Sequence, residues 1–537
     1  MGRSDTPTYL GLSGRPLGIA ISVILTFGFV LVGYDQGVMS GVISAPNWLD
    51  TFPSVVNNPN LLGFVVAIYD IGCLLGALFC MTFGDKIGRK KACLTGGISV
   101  CIGVIIQVTT ERKPSTGGAL AQFLIGRIIT GMGNGVNMAS MPVLQAELSH
   151  AARGVLVCLE CGLIATGTML SYWLDYGVRN SNTGYIWRFP IAFQCVLALI
   201  YIIGTLGLPE SPRWLCKVDR VDEATYVMAA VNGESIDSER TVNDIRAIVD
   251  SIAIENQVGA AFRIKDLVTG GPSQHRRRVI LGISSQFFQQ VGGCNAIIYY
   301  VPILFQDSLG MTHDKSLLLG GVNMIAYATF SLVSFWCIER IGRRKLFLIG
   351  SAGQCLSMVI VFGCLIPGTP AAGKGAALGL FMYIAFFGAT YLTVPWLYAA
   401  EINPLRIRAK GAALANVVNW SMNFLIVMVT PIMVAHIKWG TYVFFGAVNF
   451  AFIPLIYFFY PETTNRSLEE IDLIFAKGYF EKISYVKASH ELPHLSVEGM
   501  EELAQQYGLT DEIFDKERGL SKRGISNHIE EVSSKSS

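Results

Sequence analysis

Gly84-Asp85-Lys86-Ile87-Gly88-Arg89-Lys90-Lys91 is a short basic turn between two long apolar runs, and a second copy of it, Glu339-Arg340-Ile341-Gly342-Arg343-Arg344-Lys345, lies in the other half of the chain. The offset from Asp85 to Glu339 is 254 positions, and the same 254 positions separate Glu147 from Glu401. Each of those two glutamates ends an apolar run and is followed within a few residues by Arg and Gly. A third pair, Pro209-Glu210-Ser211 and Pro461-Glu462-Thr463, is offset by 252. One basic turn alone reads as an ordinary positively charged loop. Three pairs at a nearly constant spacing make an internal duplication.

Composition sets the class. Of 537 residues 52% are hydrophobic and only 15% charged, with mean hydropathy +0.47, against about 25% charged in globular domains. This is the composition of a polytopic membrane protein. The net charge of +2 gives no reason to expect a nucleic-acid partner, so charge is read by position. All but one of the twelve cysteines sit in apolar runs, Cys216 being the exception, as small buried hydrophobes do. Cys158-Leu159-Glu160-Cys161 has the spacing of a metal pair but no second ligand pair, so no metal and no cofactor is expected.

Residues 1–16 are short and polar, without the cleavage site of a signal peptide. Apolar stretches close to the roughly 20 residues that cross a bilayer follow at 17–42, 61–83, 92–110, 118–141, 155–174 and 188–208. Six more follow at 278–305, 317–338, 345–367, 375–400, 410–435 and 440–460. The expected fold is all-α, with twelve transmembrane helices as two six-helix pseudo-repeats, 17–208 and 278–460. They are joined by a helical linker, 209–277, and followed by a tail, 461–537, whose last residues, 521–537, read as disordered. Within the linker, Val242, Ile245, Val249 and Ile252 recur at helical spacing and predict an amphipathic helix against the ends of the bundle. The tail predicts one helix, Ser467 to Tyr479.

Lys86, Arg89, Lys90, Lys91, Arg340, Arg343, Arg344, Lys345, Arg406, Arg408 and Lys410 fall on one side of the membrane, and the loop Asn47 to Asn60 on the other has no Lys or Arg. The positive-inside rule then puts both termini in the cytoplasm. Asn465-Arg466-Ser467 is on the wrong side for glycosylation and Asn419-Trp420-Ser421 lies within a helix, so neither sequon should carry a sugar.

Taken together, Gly84-Asp85-Lys86-Ile87-Gly88-Arg89-Lys90, Pro209-Glu210-Ser211-Pro212-Arg213-Trp214-Leu215, Glu339-Arg340-Ile341-Gly342-Arg343-Arg344 and Pro461-Glu462-Thr463 resemble the sugar porters of the major facilitator superfamily, over about residues 17–480. Gly33-Tyr34-Asp35-Gln36-Gly37, Ser171-Tyr172-Trp173-Leu174-Asp175-Tyr176-Gly177 and Ser467-Leu468-Glu469-Glu470-Ile471-Asp472 resemble the fungal branch that holds hexose carriers and yeast-type glycerol/proton symporters; these motifs leave both open. The resemblance implies proton-coupled uptake of a small polyhydroxylated solute at the plasma membrane, a hexose such as glucose or alternatively glycerol or another polyol, by a functional monomer. A facilitative carrier and a non-transporting nutrient sensor remain alternatives, though the tail is short for a sensor. No nucleophile or metal constellation suggests an enzyme.

A carrier for such a solute needs amide and indole groups aimed into a cavity. In Gln286-Phe287-Phe288-Gln289-Gln290-Val291-Gly292-Gly293-Cys294-Asn295, Gln286 and Gln290, and Gln289 and Gly293, stand at i,i+4, so a polar stripe shares a helix face with a small-residue notch. Gly292-Gly293 would let this helix unwind, and Tyr299-Tyr300 could close over the solute. Resemblance assigns solute binding to Gln289, Gln290, Asn295, Trp396, Asn419 and Asn423. Trp396, next to Pro395, offers a flat apolar face and an N–H donor. Where many sugar porters have Gln in helix five and an acidic residue in helix ten, this chain has Cys161 and Gly388; Glu160 is the nearest substitute.

Proton coupling is assigned to Asp35 with Arg127, as in the symporters the chain resembles. Helical rise places them about 10 Å and about 13 Å below the outer surface, hence at similar depth. Asp70 is the second candidate proton carrier. The basic turns are expected to gate the cytoplasmic ends, Arg89 and Arg343 pairing with Glu147, Glu210, Glu401 or Glu462.

Overall fold

The computed structural model describes residues 6–56, 58–111, 116–149, 153–180, 185–260, 264–367, 369–404 and 406–509; the expected disordered end, 521–537, lies outside them. The membrane helices are α1 (Arg15–Val42), α2 (Pro59–Ile87), α3 (Arg89–Val108), α4 (Thr116–Leu148), α5 (Arg153–Val178), α6 (Tyr185–Gly207), α7 in two pieces (His275–Val291 and Cys294–Ile303), α8 (His313–Ile341), α9 (Arg343–Leu365), α10 (Ala372–Glu401), α11 (Arg408–Ile437) and α12 (Gly440–Phe459). Ten of these are, among the described residues, long and apolar enough to cross a membrane. The other two are α4 and α7. Helix α4 has 33 residues but carries Gln122, Arg127, Asn134, Asn137 and Gln145, while α7 is broken into pieces of 17 and 10 residues. Both exceptions carry the polar residues on which the site depends.

Helix ends follow local chemistry. Asn58 caps α2, its side chain accepting from the Leu61 N–H, and Pro59 occupies the first turn, where its missing N–H costs nothing. The helix then runs past the expected 83 to Ile87 and stops at Gly88, whose φ of 95° is open to glycine. Gly342, with φ 98°, separates α8 from α9 in the same way.

Within the first half α4 packs on α2 and α3, and α1 on α5 and α6. The halves meet along two seams, α2 against α11 and α5 against α8. Ile203, Phe450, Phe458 and Trp336 are more than half exposed on the outside of the bundle. Side chains that would associate in water are there suited to lipid.

The linker forms helices Pro212–Lys217, Val221–Asn232 and Glu239–Ala260. Ile245 and Ile252 bury against the ends of α1, α4 and α6 together with Val227 and Val231. Val249, expected on that face, is exposed, and Ile248 packs in its place. At 100° per residue Ile248 lies about 60° round from Ile245 on the side of Ile252, whereas Val249 lies about 40° from Ile245 on the opposite side, away from the surface that buries Ile252. Asp266 reaches Arg406 of the second half at 2.9 Å, so the linker touches both halves. The tail begins with Leu468–Phe480, capped by Ser467 and Glu470 reciprocally. Two further helices, Tyr485–Glu491 and Val497–Gln506, share a small core with it through Leu473, Ala488, Leu492 and Ala504. Asp472 ties the tail to Arg278 at the start of α7 at 2.5 Å.

Candidate functional site

The centre of the site is the break in α7. Gly293 has φ 100°, a conformation strained for any residue with a Cβ, and a Cβ there would meet the Phe445 ring at 2.7 Å. The break frees the Gly292 carbonyl, which Tyr383 Oη (2.7 Å) and Asn449 Nδ2 (2.9 Å) take up from outside the helix. Broken backbone at membrane depth is tolerated where protein groups satisfy it. A second freed carbonyl lies in α10. Tyr391 O would normally accept from the N–H four residues on, but that residue is Pro395, which has none. Gln289 Nε2 supplies the bond at 2.7 Å and reaches Leu392 O at 3.2 Å. Cys161 Sγ approaches the same Leu392 carbonyl at 3.6 Å. Gly388 packs beside Tyr327 of α8, and Glu160 is buried next to Cys161.

From Gln289 a chain of amides runs across the bundle. Asn419 Nδ2 donates to Gln286 Oε1 (2.6 Å) and Gln289 Oε1 (2.8 Å). Asn295 Nδ2 donates to Gln290 Oε1 (2.7 Å) and Asn423 Oδ1 (2.6 Å). Asn423 Nδ2 then crosses to the first half and donates to Asp70 Oδ1 at 3.0 Å. Gln286, Gln289, Gln290, Asn295, Asn419 and Asn423 are all buried. Each amide offers an acceptor and two donors, so every link in the chain can be exchanged for a solute hydroxyl, which both donates and accepts. Trp396, partly buried, lies one turn beyond the Tyr391 and Leu392 carbonyls.

The first half contributes charge. Arg127 Nη1 donates to Asp35 Oδ1 at 2.9 Å, and Asn134 Nδ2 donates to Asp35 Oδ2 at 2.9 Å and to Tyr69 Oη at 3.0 Å. Arg127 also lies over the Tyr69 ring, 4.7 Å from its centroid. Asp35, Asp70 and Arg127 are each 0% exposed. A buried charge persists only when paired, and both oxygens of Asp35 have donors. Asn134 and Tyr69 were not anticipated. Asn134 stands seven residues after Arg127, two turns on the same helix face, a spacing readable in the sequence once Arg127 is singled out.

At the end of the bundle away from the chain termini the halves are joined. Tyr172 Oη donates to Ile298 O and Arg179 pairs with Asp314 at 3.5 Å, while within the second half Tyr300 Oη donates to Val427 O at 2.9 Å. Tyr299 and Tyr300 are buried, so this end is closed over the amides. At the other end the basic turns build two matching clusters. Arg89 pairs with Glu147 at 3.7 Å and Arg343 with Glu401 at 2.9 Å. Glu210 and Glu462 do not face these guanidinium groups in the described contacts; they accept from backbone N–H groups, Lys90 N to Glu210 Oε1 and Arg343 N to Glu462 Oε1, both 2.9 Å. Ser211 Oγ donates to Glu147 and Thr463 Oγ1 to Glu401. Each of these ion pairs lies within one half.

Residues 21–475 match the model of a family described as sugar (and other) transporter. The chain is 39% identical over 518 residues to the sugar transporter STL1 of Saccharomyces cerevisiae, covering 95% of this chain and 90% of that protein. It is 40% identical to the major facilitator superfamily transporter mfsA of Aspergillus fumigatus, covering 96% and 97%. Among solved structures, the proton:xylose symporter XylE bound to 6-bromo-6-deoxy-D-glucose superposes with a TM-score of 0.71 at 25% identity, over 86% of this chain and 100% of that one. The relatives and the fold are those of transporters rather than enzymes, and the chain belongs to the sugar porter family of the major facilitator superfamily, with its twelve-helix fold.

Proposed function

We propose that the protein takes up a small polyhydroxylated solute together with a proton across the plasma membrane, working as a monomer by alternating access with both termini in the cytoplasm. The observation that carries this reading is the burial in one bundle of a neutral amide ladder suited to hydroxyl groups, which ends at Asp70, and of a carboxylate–guanidinium pair suited to binding and releasing a proton, which Asn134 links to the neighbouring residue Tyr69. Gln289, Gln290, Asn295, Asn419 and Asn423 bind the solute and Trp396 stacks on its CH face. Asp35 takes the proton and Arg127 stabilises its charged form. The basic turns on the termini side support the cytoplasmic assignment, and the clusters of Arg89, Glu147 and Glu210 and of Arg343, Glu401 and Glu462 brace the helix ends that move in gating.

A hexose is the solute assigned. A polyol is the second reading, favoured by one feature: Cys161 stands at the Leu392 carbonyl and offers only a weak donor, which leaves fewer strong bonds for a ring bearing many hydroxyls. Uptake of labelled glucose, sucrose and glycerol in a carrier-deficient host, with and without an uncoupler, tests both. Glucose accumulation that the uncoupler collapses is the expected result. Accumulation of glycerol alone selects the polyol reading, and equilibration indifferent to the uncoupler removes the proton.

A further inference from the structure

Asn134 of α4 is 0% exposed and spends both hydrogens of its Nδ2, one on Asp35 Oδ2 at 2.9 Å and one on Tyr69 Oη at 3.0 Å. Arg127 holds the other carboxylate oxygen, Asp35 Oδ1, at 2.9 Å. Asn134 Oδ1, by contrast, is buried with no hydrogen-bond partner among the described residues. An acceptor left unmet in a protein interior is costly, so something holds the amide in this orientation. The charge of Asp35 does. Turning the amide over would set Asn134 Oδ1 against a carboxylate oxygen, two acceptors with no hydrogen between them, and would forfeit a bond to an ionised acceptor, roughly twice as strong as a neutral one. A side-chain amide is nevertheless alike in shape on its two sides and opposite in sense. Its oxygen and nitrogen exchange places by rotation about Cβ–Cγ, a torsion with broad, roughly two-fold wells.

We propose that Asn134 is a positioning residue that holds Asp35 in both its ionised and its protonated form by turning its amide, and thereby sets how readily the carboxyl releases its proton. This rests on the proton-coupled reading above. A proton that enters while the outer end is open adds to Asp35 Oδ2, the oxygen that Arg127 does not hold, and cancels the charge. Asp35 O–H and Asn134 N–H then point at each other, and the amide turns so that its oxygen accepts from Asp35. The Tyr69 hydroxyl, until then an acceptor, donates to the same oxygen. The idle end is now the amine, so one end of the amide goes unmet in either state. Arg127 keeps Asp35 Oδ1 and the face of the Tyr69 ring, and the contact between α1 and α4 persists. When the proton leaves on the cytoplasmic side, the amide turns back. The other ionisable groups facing Asp35 are Tyr69, Asp70 and Cys73 on α2, Tyr34 beside it on α1 and Tyr299 on the outer piece of α7. None of these bonds Asp35 in the described contacts, which leaves Arg127 and Asn134 to stabilise its charge.

The test compares wild type, Asn134→Leu and Asn134→Gln in proteoliposomes, with labelled glucose or glycerol, whichever wild type accumulates. Two quantities are read: the external pH at which uptake is half-maximal, and solute counterflow with both sides acidic, which needs no proton release. Leucine fills the space of the amide without bonding. It removes a stronger bond from the ionised form than from the protonated one, so Asp35 keeps its proton to higher pH, and the half-maximal pH should rise by at least about 0.5 unit. Net uptake into a neutral interior should slow several-fold while acid counterflow stays within about threefold of wild type. Asn134→Gln, which keeps the amide, should return more than half of the shift. Asn134→Ala, which only removes atoms, should shift the profile in the same direction and serves if the leucine variant does not fold. An unmoved or lowered half-maximal pH in a folded Asn134→Leu or Asn134→Ala overturns the proposal. So does an equal loss of uptake and acid counterflow without a shift, which marks a structural role. If wild type takes up no proton with its solute, the symport reading itself fails; a coupled wild type with an unmoved profile in the variants fails this proposal alone.

Discussion

The two halves of the protein agree at one end of the membrane and differ in its middle. At the basic turns the correspondence extends to atoms: Gly88 and Gly342 share a left-handed φ, a Cβ on either would meet a carboxylate oxygen at 2.6 Å, and those carboxylates, Glu210 and Glu462, accept from the start of the next helix. In mid-membrane the first half offers Asp35, Asp70 and Arg127, and the second offers Gln286, Gln289, Gln290, Asn295, Asn419 and Asn423. Both halves need the same bracing where helices leave the bilayer. Neither needs the other's chemistry at the centre, where one half carries charge and the other presents neutral hydrogen-bonding groups.

The largest effects should come from the charged half. Asp35→Ala leaves Arg127 buried without its carboxylate, a loss of about 3–5 kcal/mol, to be read as lower thermal stability in detergent. Asp35→Asn should eliminate accumulation against a gradient and the dependence of uptake on external pH. If it concentrates solute and responds to an uncoupler as wild type does, the charged half does not carry the proton.

Gln289→Ala and Asn295→Ala test the neutral half and should cost less stability, roughly 1–3 kcal/mol for the bonds and carbonyls left unmet. Uptake should nevertheless fall at least tenfold, the factor that about 1.4 kcal/mol represents, with the protein still reaching the plasma membrane. Normal transport by both variants would remove α7 from the site.

Gly88→Ala and Gly342→Ala probe the shared part. Each places a Cβ in a left-handed conformation, at about 1–2 kcal/mol, and the two losses of stability should agree to within about 0.5 kcal/mol if the clusters are equivalent. A clear inequality would break the comparison at its strongest point. The smallest effects belong to the arginines. Arg89→Ala should slow transport a few-fold with orientation unchanged. Arg343→Ala should slow it more, since Arg343 lies 2.9 Å from Glu401 against 3.7 Å for Arg89 and Glu147. Unimpaired transport in both variants would reduce these residues to topology signals.

Much of this was legible from residue patterns. Spans, repeats and helix caps are local properties, and the duplication shows directly as two offsets. The pairing of Asp35 with Arg127 could be approached because helical rise converts position into depth. What could not be read was the partner of each polar group. The bond from Gln289 to Tyr391 O follows from Pro395, but only once α7 and α10 are known to be neighbours. The contact of Asp70 with Asn423 joins residues 353 positions apart and belongs to the conformation closed at the outer end. Glu210 and Glu462 were expected to meet guanidinium groups and instead accept from backbone N–H groups in the first turn of the helices that follow Gly88 and Gly342, donors that a helix leaves unmet wherever it starts. Val249 missed the linker's inner face because a helix of 3.6 residues per turn separates positions three and four apart, and the neighbouring surface admits one of them.

The break at Gly292-Gly293 also bears on the surrounding bilayer. The piece beyond it, Cys294–Ile303, is ten residues long, an arm of about 15 Å, and Tyr383 and Asn449 hold the Gly292 carbonyl at its base. An arm that swings from a fixed pivot displaces protein side chains and water while the full-length helices keep their contact with lipid. Opening by that route leaves the thickness of the membrane around the carrier nearly unchanged, so its rate should depend weakly on acyl-chain length, in contrast to a motion that tilts a whole six-helix half.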